Sequence, residues 1–296
     1  MAIMEEHRVI MQDGTSMYVK VLGAANKDKP VIIASHGGPG VESHTESQNS
    51  FGFLSEHFRV IVYDMRGSGN SVSKGPYTHQ QYVDDVEEIR QWAAVDQFIA
   101  AGASYGGIVS LEYILAHPDR VTCLLLRNTV AAGLHLTLGG FRALLISPRV
   151  KADHDLLERV WSGNARDAEE LIEVLGDLGT LFKPEFTANG ERREPPPRGQ
   201  MSPEKLNVDV WNCSASYNIP RYDVRSRLPS IGVPTMVVGG TQDIITTVRH
   251  VEVIAEGIPK AELFILEGAG HNLPDDEREL WNQTVWNFLK THQFCD

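Results

Sequence analysis

The chain has 296 residues, with 27 Lys or Arg against 39 Asp or Glu, so its formal net charge is −12. Hydrophobic residues make up 42% of the chain and charged residues 22%, which excludes a wholly disordered protein, and the length predicts one large α/β domain or two domains. The acidic balance argues against binding to nucleic acid or to an anionic membrane, and no apolar run is long enough to predict a transmembrane helix.

Three widely spaced cysteines and the N-terminal residues indicate the compartment. Cys123, Cys213 and Cys295 are odd in number and fit neither a disulfide framework nor a zinc-site spacing. The first residues are acidic and mixed, without the basic start and apolar stretch of a signal peptide. We therefore expect a cytoplasmic protein.

In the first part of the chain, short apolar runs alternate with turns and helical patterns. Two runs flank Asp13-Gly14 and predict a β-hairpin, and the β-branched runs that follow predict buried parallel strands. The predicted strands are residues 8–12, 17–22, 31–35, 60–63, 98–103 and 121–126. Residues 78–93 and 108–117 have helical periodicity, and the second helix should end at Pro118. The first helix should bury one face, made of Tyr82, Val83, Val86, Ile89 and Trp92.

Beyond residue 228 the alternation of strands and helices resumes. Two apolar runs predict strands, a helical pattern separates them, and an amphipathic helix follows the second strand. The two strands are residues 234–238 and 263–266, the helix between them is residues 248–256, and the last helix is residues 279–289. Strands that alternate with helices predict a mostly parallel central sheet flanked by helices.

The middle of the chain lacks the strand pattern. Helical periodicity appears there at residues 156–160 and 168–175, and residues 182–203 are polar and irregular, with three successive prolines at 195–197. The predicted domains are therefore an α/β core at residues 1–130 and 229–296 and a helical insertion after the sixth strand at residues 131–228.

The segment Gly102-Ala103-Ser104-Tyr105-Gly106 joins a predicted buried strand to a predicted helix. In that context the G-x-S-x-G pattern predicts a serine on a sharp strand-to-helix turn, flanked by glycines because larger side chains would collide. The helix N-terminus adds free N–H groups, which favour developing negative charge. We interpret Ser104 as a nucleophile; the alternative is a tight turn whose serine only caps the helix.

A nucleophilic serine needs a base, and the base needs an orienting group. In this type of fold the order along the chain is serine, acid, histidine. Asp243 follows the strand at 234–238, and His271 follows the next strand on a glycine-rich turn. Because catalytic groups gather at the carboxyl edge of a parallel sheet, we predict that Asp243 orients His271 as the base. The alternatives are an ordinary turn aspartate and an ordinary loop histidine.

The tetrahedral intermediate of such a reaction needs preorganised N–H donors. One donor is expected from Tyr105, the residue after the nucleophile, and the other from the loop after the third strand, where Gly38 is the candidate. Glycines let that loop approach the substrate and proline fixes its path, although a plain turn is the alternative. His36 is expected to stiffen the loop rather than transfer a proton. The complete loop is His36-Gly37-Gly38-Pro39-Gly40.

Together these motifs resemble those of the α/β-hydrolase superfamily over almost the whole chain outside the insertion. More narrowly, the loop at 36–40 is similar to the oxyanion loop of the proline iminopeptidase group, the prolyl aminopeptidases, and residues 64–71 are similar to that group's D-x-R-G-x-G-x-S stretch. We interpret Asp64 and Arg66 in this stretch as structural. The resemblance implies a serine hydrolase with a helical cap at 131–228 over its site, and no metal ion or organic cofactor.

The insertion departs from that group. Prolyl aminopeptidases carry cap glutamates that bind the α-amine of the substrate, one of them in an E-N-H-Y-like stretch, and residues 206–214 hold no such stretch. The carboxylates of the insertion are expected mostly on solvated helix faces: Glu158, Glu169, Glu170, Glu173 and Glu185. Five aromatic residues are candidates for the pocket wall or for the core of the insertion: Trp161, Phe182, Trp211, Tyr217 and Tyr222.

The sequence therefore leaves several functions open, all with a small-molecule substrate. A proline iminopeptidase-like enzyme that cleaves a small amide or ester is favoured. The alternative is a carboxylesterase or lactonase acting on a small cyclic or aromatic metabolite. Carbon–carbon bond hydrolysis and acyl transfer use the same groups. A low-turnover small-molecule receptor is disfavoured, because all three residues of a catalytic triad are present.

Overall fold

The computed structural model describes residues 3–194 and 201–295. An eight-stranded β-sheet forms its centre, made of β1 (Met4–Ile10), β2 (Ser16–Leu22), β3 (Val31–Ser35), β4 (Arg59–Tyr63), β5 (Phe98–Ala103), β6 (Val121–Arg127), β7 (Thr235–Gly240) and β8 (Ala261–Leu266). The spatial order is β1-β2-β4-β3-β5-β6-β7-β8. The pairs β1–β2 and β2–β4 are antiparallel and the remaining pairs are parallel, which confirms the predicted mostly parallel sheet.

The register of the sheet brings separate parts of the chain together at its carboxyl edge. Ser35 at the end of β3 pairs with Gly102 of β5, and Arg127 at the end of β6 pairs with Ala103 on one side and with Val238 on the other. The loops that leave β3, β5, β6 and β7 therefore start beside one another.

Each predicted strand is present, and β1 departs most from its predicted bounds. It begins at Met4, which pairs with Leu22, rather than at residue 8. β1 lies at the edge of the sheet and its first residues are mostly exposed. Because backbone pairing holds these residues without burying their side chains, they leave no apolar alternation to detect.

Helices cover both faces of the sheet, and others follow β6. They are α1 (His44–Phe51), α2 (His79–Trp92), α3 (Tyr105–Ala116), α4 (Gly133–Ile146), α5 (His154–Trp161), α6 (Ala168–Phe182), α7 (Val208–Cys213), α8 (Ile219–Arg221), α9 (Val248–Gly257), α10 (Leu273–Asp276) and α11 (Arg278–Thr291). Every helix predicted from periodicity is present. The sequence patterns missed α1, which is polar and capped by the Ser43 side chain, and α4, whose apolar residues surround the helix without forming one face. They also missed the short helices α7, α8 and α10.

The predicted buried face of α2 is correct except at its last residue. Tyr82, Val83, Val86 and Ile89 are buried, but Trp92 is 38% exposed. The Trp92 ring packs edge-on against His7 of β1 with 5.0 Å between ring centroids. The end of α2 thus projects past the hydrophobic core, and Trp92 covers the edge strand instead.

Two hydrophobic clusters lie on opposite faces of the sheet and a third lies in the insertion. Alternate residues of one strand divide between the first two, as with Ile33, which packs with α2 and α3, and Ile32, which packs with α1 and α11. The third cluster joins α4, α5 and α6 and reaches Ile245 after β7. The segment after α6 contains an isolated bridge between Phe186 and Arg192, and the three prolines at 195–197 lie outside the described residues. Within residues 3–194 and 201–295, no helix is long and apolar enough to cross a membrane.

Candidate active site

Ser104 occupies a strained turn between β5 and α3. Its backbone has φ of 52° and ψ of −118°, a conformation that side-chain-bearing residues rarely adopt. The Ser104 N–H donates to the carbonyl oxygen of Arg127 at 3.0 Å, and the Ser104 carbonyl oxygen accepts the Thr129 hydroxyl at 2.7 Å. These bonds fix the turn, so the serine projects from the sheet edge at the N-terminus of α3.

The two glycines of the G-x-S-x-G pattern are required by close backbone contacts. A Cβ at Gly102 would lie 2.2 Å from the carbonyl oxygen of Gly106, and a Cβ at Gly106 would lie 2.0 Å from that of Ser35. Both contacts are with backbone, which cannot rotate away. The steric reason given by the sequence pattern is therefore present in the structure.

Asp243 and His271 meet at the same edge of the sheet. His271 Nδ1 lies 2.8 Å from Asp243 Oδ2, and both side chains are buried. The other carboxylate oxygen, Asp243 Oδ1, accepts the N–H groups of Ile245 at 2.8 Å and Thr246 at 2.9 Å. These contacts hold the carboxylate still, and the carboxylate in turn sets the orientation of the imidazole.

The environment of Asp243 keeps its carboxyl group ionised. Burial alone would raise its pKa, but the charge and hydrogen bond of His271 and the hydrogen bonds from Thr246 and Asn128 outweigh burial. The net result is a pKa well below the usual range of an aspartate. A carboxylate that stays charged beside Nδ1 favours the imidazole tautomer with its proton on Nδ1.

Asn128 is part of this arrangement and was missed by the sequence analysis. Its Nδ2 group donates to Asp243 Oδ2 and to the Gly270 carbonyl oxygen, the second at 3.3 Å. Its backbone has φ of 47°, a region that asparagine tolerates better than most residues. An asparagine directly after a buried strand was the only available signal, and it says nothing about a partner 115 residues away.

The loop at 36–40 is fixed from both sides by the His36 ring. His36 Nε2 accepts the N–H of Met65 at 2.9 Å, so Nδ1 carries the proton and donates to the Gly37 carbonyl oxygen at 2.7 Å. Burial lowers the pKa of His36, despite the opposing effect of Asp64, which favours the neutral ring that these bonds require. Gly40 closes the loop with φ of 74°, and its N–H donates to Ser68 Oγ at 2.7 Å.

The two N–H groups predicted to form an oxyanion hole have no hydrogen-bond acceptor among the described residues. Tyr105 is the first residue of α3, so its N–H has no acceptor within the helix. The Gly38 N–H has no acceptor among the residues that the structure describes. Gly37, which precedes Gly38 in the loop, lies close to the serine, since a Cβ at Gly37 would be 3.5 Å from Ser104 Cβ. The loop after β3 thus faces the serine.

Asp64 and Arg66 hold the neighbouring loop, as predicted. Asp64 Oδ1 accepts the His44 N–H at 2.5 Å, and Oδ2 accepts the Asn70 N–H at 2.7 Å. Arg66 is fully buried and donates to both carboxylate oxygens of Asp85 at 2.5 and 3.0 Å, and to Asp13 at 2.7 Å. Neither residue lines the cavity at Ser104, which agrees with a structural role.

A cavity of about 300 Å³ opens over Ser104, with His271 and the 36–40 loop at its floor. Its wall is mainly apolar and comes largely from the insertion: Leu136, Trp161, Leu175, Leu178, Phe182, Trp211 and Ile219. Of the five candidate aromatic residues, three therefore line the cavity, while Tyr217 is exposed and Tyr222 is buried against the sheet. Ser104 and His271 both line this cavity, and no direct hydrogen bond joins their side chains.

Charged side chains also reach this cavity. Glu46 and Arg127 form an ion pair, and Arg127 Nη1 donates to the His271 carbonyl oxygen at 2.8 Å. Glu42 lines the cavity beside them. Its pKa is raised to about 7 by burial and by Glu46, against the opposing effect of Arg127 and His271. The sequence analysis singled out none of these three residues.

The carboxylates of the insertion lie away from the cavity. Glu158, Glu169 and Glu173 are exposed, Glu185 lies 3.7 Å from Arg149, and Glu170 is buried between Arg159 and Arg166. Glu170 is thus paired rather than solvated, a correction to the prediction for that residue. None of the five lines the cavity at Ser104. Across residues 3–194 and 201–295, no group of three or more His, Cys, Asp or Glu side chains could hold a metal ion.

Comparison with known proteins identifies the family. The profile of the alpha/beta hydrolase fold family matches residues 30–277. A proline iminopeptidase of Pestalotiopsis fici is 27% identical over 284 residues, covering 94% of this chain and 97% of that protein. A hydrolase structure from Pseudomonas aeruginosa is 28% identical with a TM-score of 0.72, covering 96% of this chain and 98% of the other. An esterase from Exiguobacterium antarcticum is 21% identical with a TM-score of 0.71, covering 97% and 100%, and shares the fold.

The chain belongs to the α/β-hydrolase family, and it is a hydrolase. Its resemblance to the proline iminopeptidases, first given by the loop at 36–40, extends along most of the chain.

Proposed function

We propose that the protein is a serine hydrolase in which Ser104, His271 and Asp243 form the catalytic triad. The observation that carries this proposal is the meeting of a strained serine at a helix N-terminus with a histidine held by a buried carboxylate, in one cavity. The same three residues occur in the order serine, acid, histidine.

In the proposed reaction, Ser104 Oγ attacks the substrate carbonyl carbon while His271 Nε2 accepts the serine proton. Asp243 keeps the other ring nitrogen protonated and stabilises the positive charge that forms on the ring. Collapse of the tetrahedral intermediate transfers the proton from His271 to the leaving group and leaves the acyl group on Ser104. Water, deprotonated by His271, then releases the acyl group.

The negative charge on the tetrahedral oxygen would be held by the N–H groups of Gly38 and Tyr105. Each donor of this kind contributes roughly 3–4 kcal/mol to the transition state. Because Ser104 immediately precedes α3, the positive end of the α3 dipole would add to this stabilisation. The loop that carries Gly38 also contains His36, Gly37, Pro39 and Gly40, and hydrogen bonds of His36 and Gly40 hold it in place. Gly102 and Gly106 permit the turn at Ser104.

We further propose that residues 131–228 act as a cap that selects the substrate. The cavity wall comes largely from this segment, and the segment contacts both site loops. The Phe182 carbonyl oxygen accepts the His271 N–H at 3.1 Å, and the Asn207 N–H donates to the Gly40 carbonyl oxygen at 2.8 Å. A cavity of about 300 Å³ fits a small acyl group and its leaving group.

The favoured substrate is a small amide or ester, with cleavage like that of a proline iminopeptidase. The support is the resemblance along most of the chain. The second candidate is a carboxylesterase or lactonase, which the predominantly apolar cavity wall favours because it would bind an uncharged cyclic or aromatic group well.

A paired rate assay on the purified protein separates these candidates. Prolyl p-nitroanilide and a short-chain p-nitrophenyl ester are each compared with the Ser104→Ala variant as control. Serine-dependent cleavage of the prolyl amide, with kcat/KM of about 10⁴ M⁻¹s⁻¹ or more, supports the aminopeptidase. Cleavage of the ester alone supports the second candidate, and activity above a tenth of wild type in Ser104→Ala contradicts the triad.

A further inference from the structure

Glu42 carries a carboxylate that reaches the cavity without a hydrogen bond or ion pair to any residue that the structure describes. Glu42 is half-buried and lines the cavity. Among the residues that the structure describes, its carboxylate neither accepts a hydrogen bond nor forms an ion pair. Its oxygen atoms are not sealed in the protein interior, so they are available to a molecule in the cavity.

The neighbouring carboxylate, Glu46, is neutralised. Glu46 pairs with Arg127 and also accepts the Ser50 hydroxyl at 3.0 Å. Arg127 is committed to this pair and to the His271 carbonyl oxygen. Among the described residues, Glu42 is therefore left without a direct hydrogen-bond or ion-pair partner in a cavity with a mainly apolar wall.

Backbone contacts place Glu42 next to the proposed oxyanion hole. The Glu42 N–H donates to the Gly38 carbonyl oxygen at 2.8 Å. Its Cγ atom lies 3.2 Å from the position that a Cβ on Gly38 would occupy. A substrate carbonyl oxygen bound at the Gly38 N–H would bring the carbon atom attached to that carbonyl into the same region of the cavity.

We propose that Glu42 is a specificity-determining residue that binds a protonated amine on the carbon next to the scissile carbonyl. A half-buried carboxylate without a partner is costly, and a cation that reaches it gains a charge-assisted hydrogen bond. A neutral group in the same place leaves the carboxylate unpaired. This inference rests on the proposed hydrolase reaction and assigns amine recognition to the core loop rather than to the insertion, whose five named carboxylates lie away from the cavity.

The test compares two methyl esters of the same shape, proline methyl ester and cyclopentanecarboxylic acid methyl ester. The proline ester has a ring ammonium where the cyclopentane ester has a methylene group. Because both are esters, either a peptidase or an esterase of this type could cleave them. The measured quantity is the ratio of their kcat/KM values, because this ratio does not depend on the fraction of active protein. Glu42→Gln should lower the ratio about tenfold or more, with the loss mainly in KM for the proline ester.

A matched control removes the same charge elsewhere. Glu169→Gln, on an exposed face of α6, should leave the ratio within about threefold of wild type. A ratio in Glu42→Gln that also stays within about threefold would overturn the proposal, whether or not both rates fall. Loss of both activities in Ser104→Ala tests the hydrolase reaction separately, so the two failures are distinguishable.

The pH dependence of the same ratio is a second readout. The charged or titratable groups that act electrostatically on Glu42 are Glu46, Arg127, His271 and Asp275. Since the Glu42 pKa is raised to about 7, the carboxyl group is neutral at lower pH and charged above it. The ratio of proline ester to cyclopentane ester should therefore rise between about pH 6 and 7.5 in wild type and stay flat in Glu42→Gln. A ratio that is equally flat in wild type contradicts the proposal.

Discussion

At the scale of single residues, hydrogen bonds from neighbouring residues fix the positions of the side chains in the site. Asp243 orients His271, while Asn128 and Thr246 hold Asp243, and Arg127 holds the backbone of His271. The steric demands are equally local, because the turn at Ser104 leaves no space for a Cβ on either flanking glycine.

The prediction at this scale concerns Gly106. In Gly106→Ala the added methyl group would meet the Ser35 carbonyl oxygen at 2.0 Å, so β3 and α3 must separate. We expect a loss of about 3 kcal/mol or more in the free energy of unfolding, measured by urea denaturation, together with loss of activity.

The matched control is Gly232→Ala, where a Cβ would meet nothing within 4 Å. This variant should be within about 1 kcal/mol of wild type, since the substitution acts mainly on the entropy of the unfolded chain. Equal stability of the two variants would refute the steric account of the turn.

At the scale of elements, the parts of the site that the sequence could predict are those with local patterns. The strand, turn and helix around Ser104 are contiguous, and the strand endings before Asp243 and His271 are visible as apolar runs. Arg127 and Asn128 could not be assigned partners, because their contacts with Glu46, Asp243 and His271 span 81 to 144 residues of chain. Helix α1, which carries Glu46, gave no amphipathic signal, so the position of Glu46 at the cavity was missed with it.

Helix α4 has one face toward the cavity and another toward solvent. Leu136 lines the cavity, whereas Leu134 on the same helix is 62% exposed. Leu136→Trp should fill part of the cavity and disfavour long acyl chains. We expect the ratio of kcat/KM for p-nitrophenyl hexanoate over acetate to fall about tenfold, since one methylene in a fitted pocket is worth 1–3 kcal/mol.

The control for this prediction is Leu134→Trp, which places the same side chain on the solvent side of α4. It should keep the wild-type preference for chain length. If the two variants change the preference equally, the insertion does not bound the acyl pocket in the way that the cavity indicates.

At the scale of the whole molecule, the central sheet and the insertion contribute different parts of the site. The sheet, with hydrophobic clusters on both faces, fixes the four loops at its carboxyl edge. The insertion has a hydrophobic cluster of its own and rests on two of those loops through Phe182 and Asn207. The mostly parallel sheet could be predicted from the sequence, because strands that alternate with helices permit few other arrangements. The shape of the cavity depends on how the helices of the insertion pack, and no single pattern in the chain encodes that packing.

The measurement that tests the account most directly is covalent labelling with a fluorophosphonate, followed by mass spectrometry of the digested protein. The proposed triad makes Ser104 the one activated serine, because the imidazole of His271 can remove its proton and the Gly38 and Tyr105 N–H groups can hold the phosphonyl oxygen. We predict a single adduct on the peptide that contains Ser104, and its loss in His271→Ala. An adduct on another serine, or none on the folded protein, would contradict the assignment of Ser104 as the nucleophile.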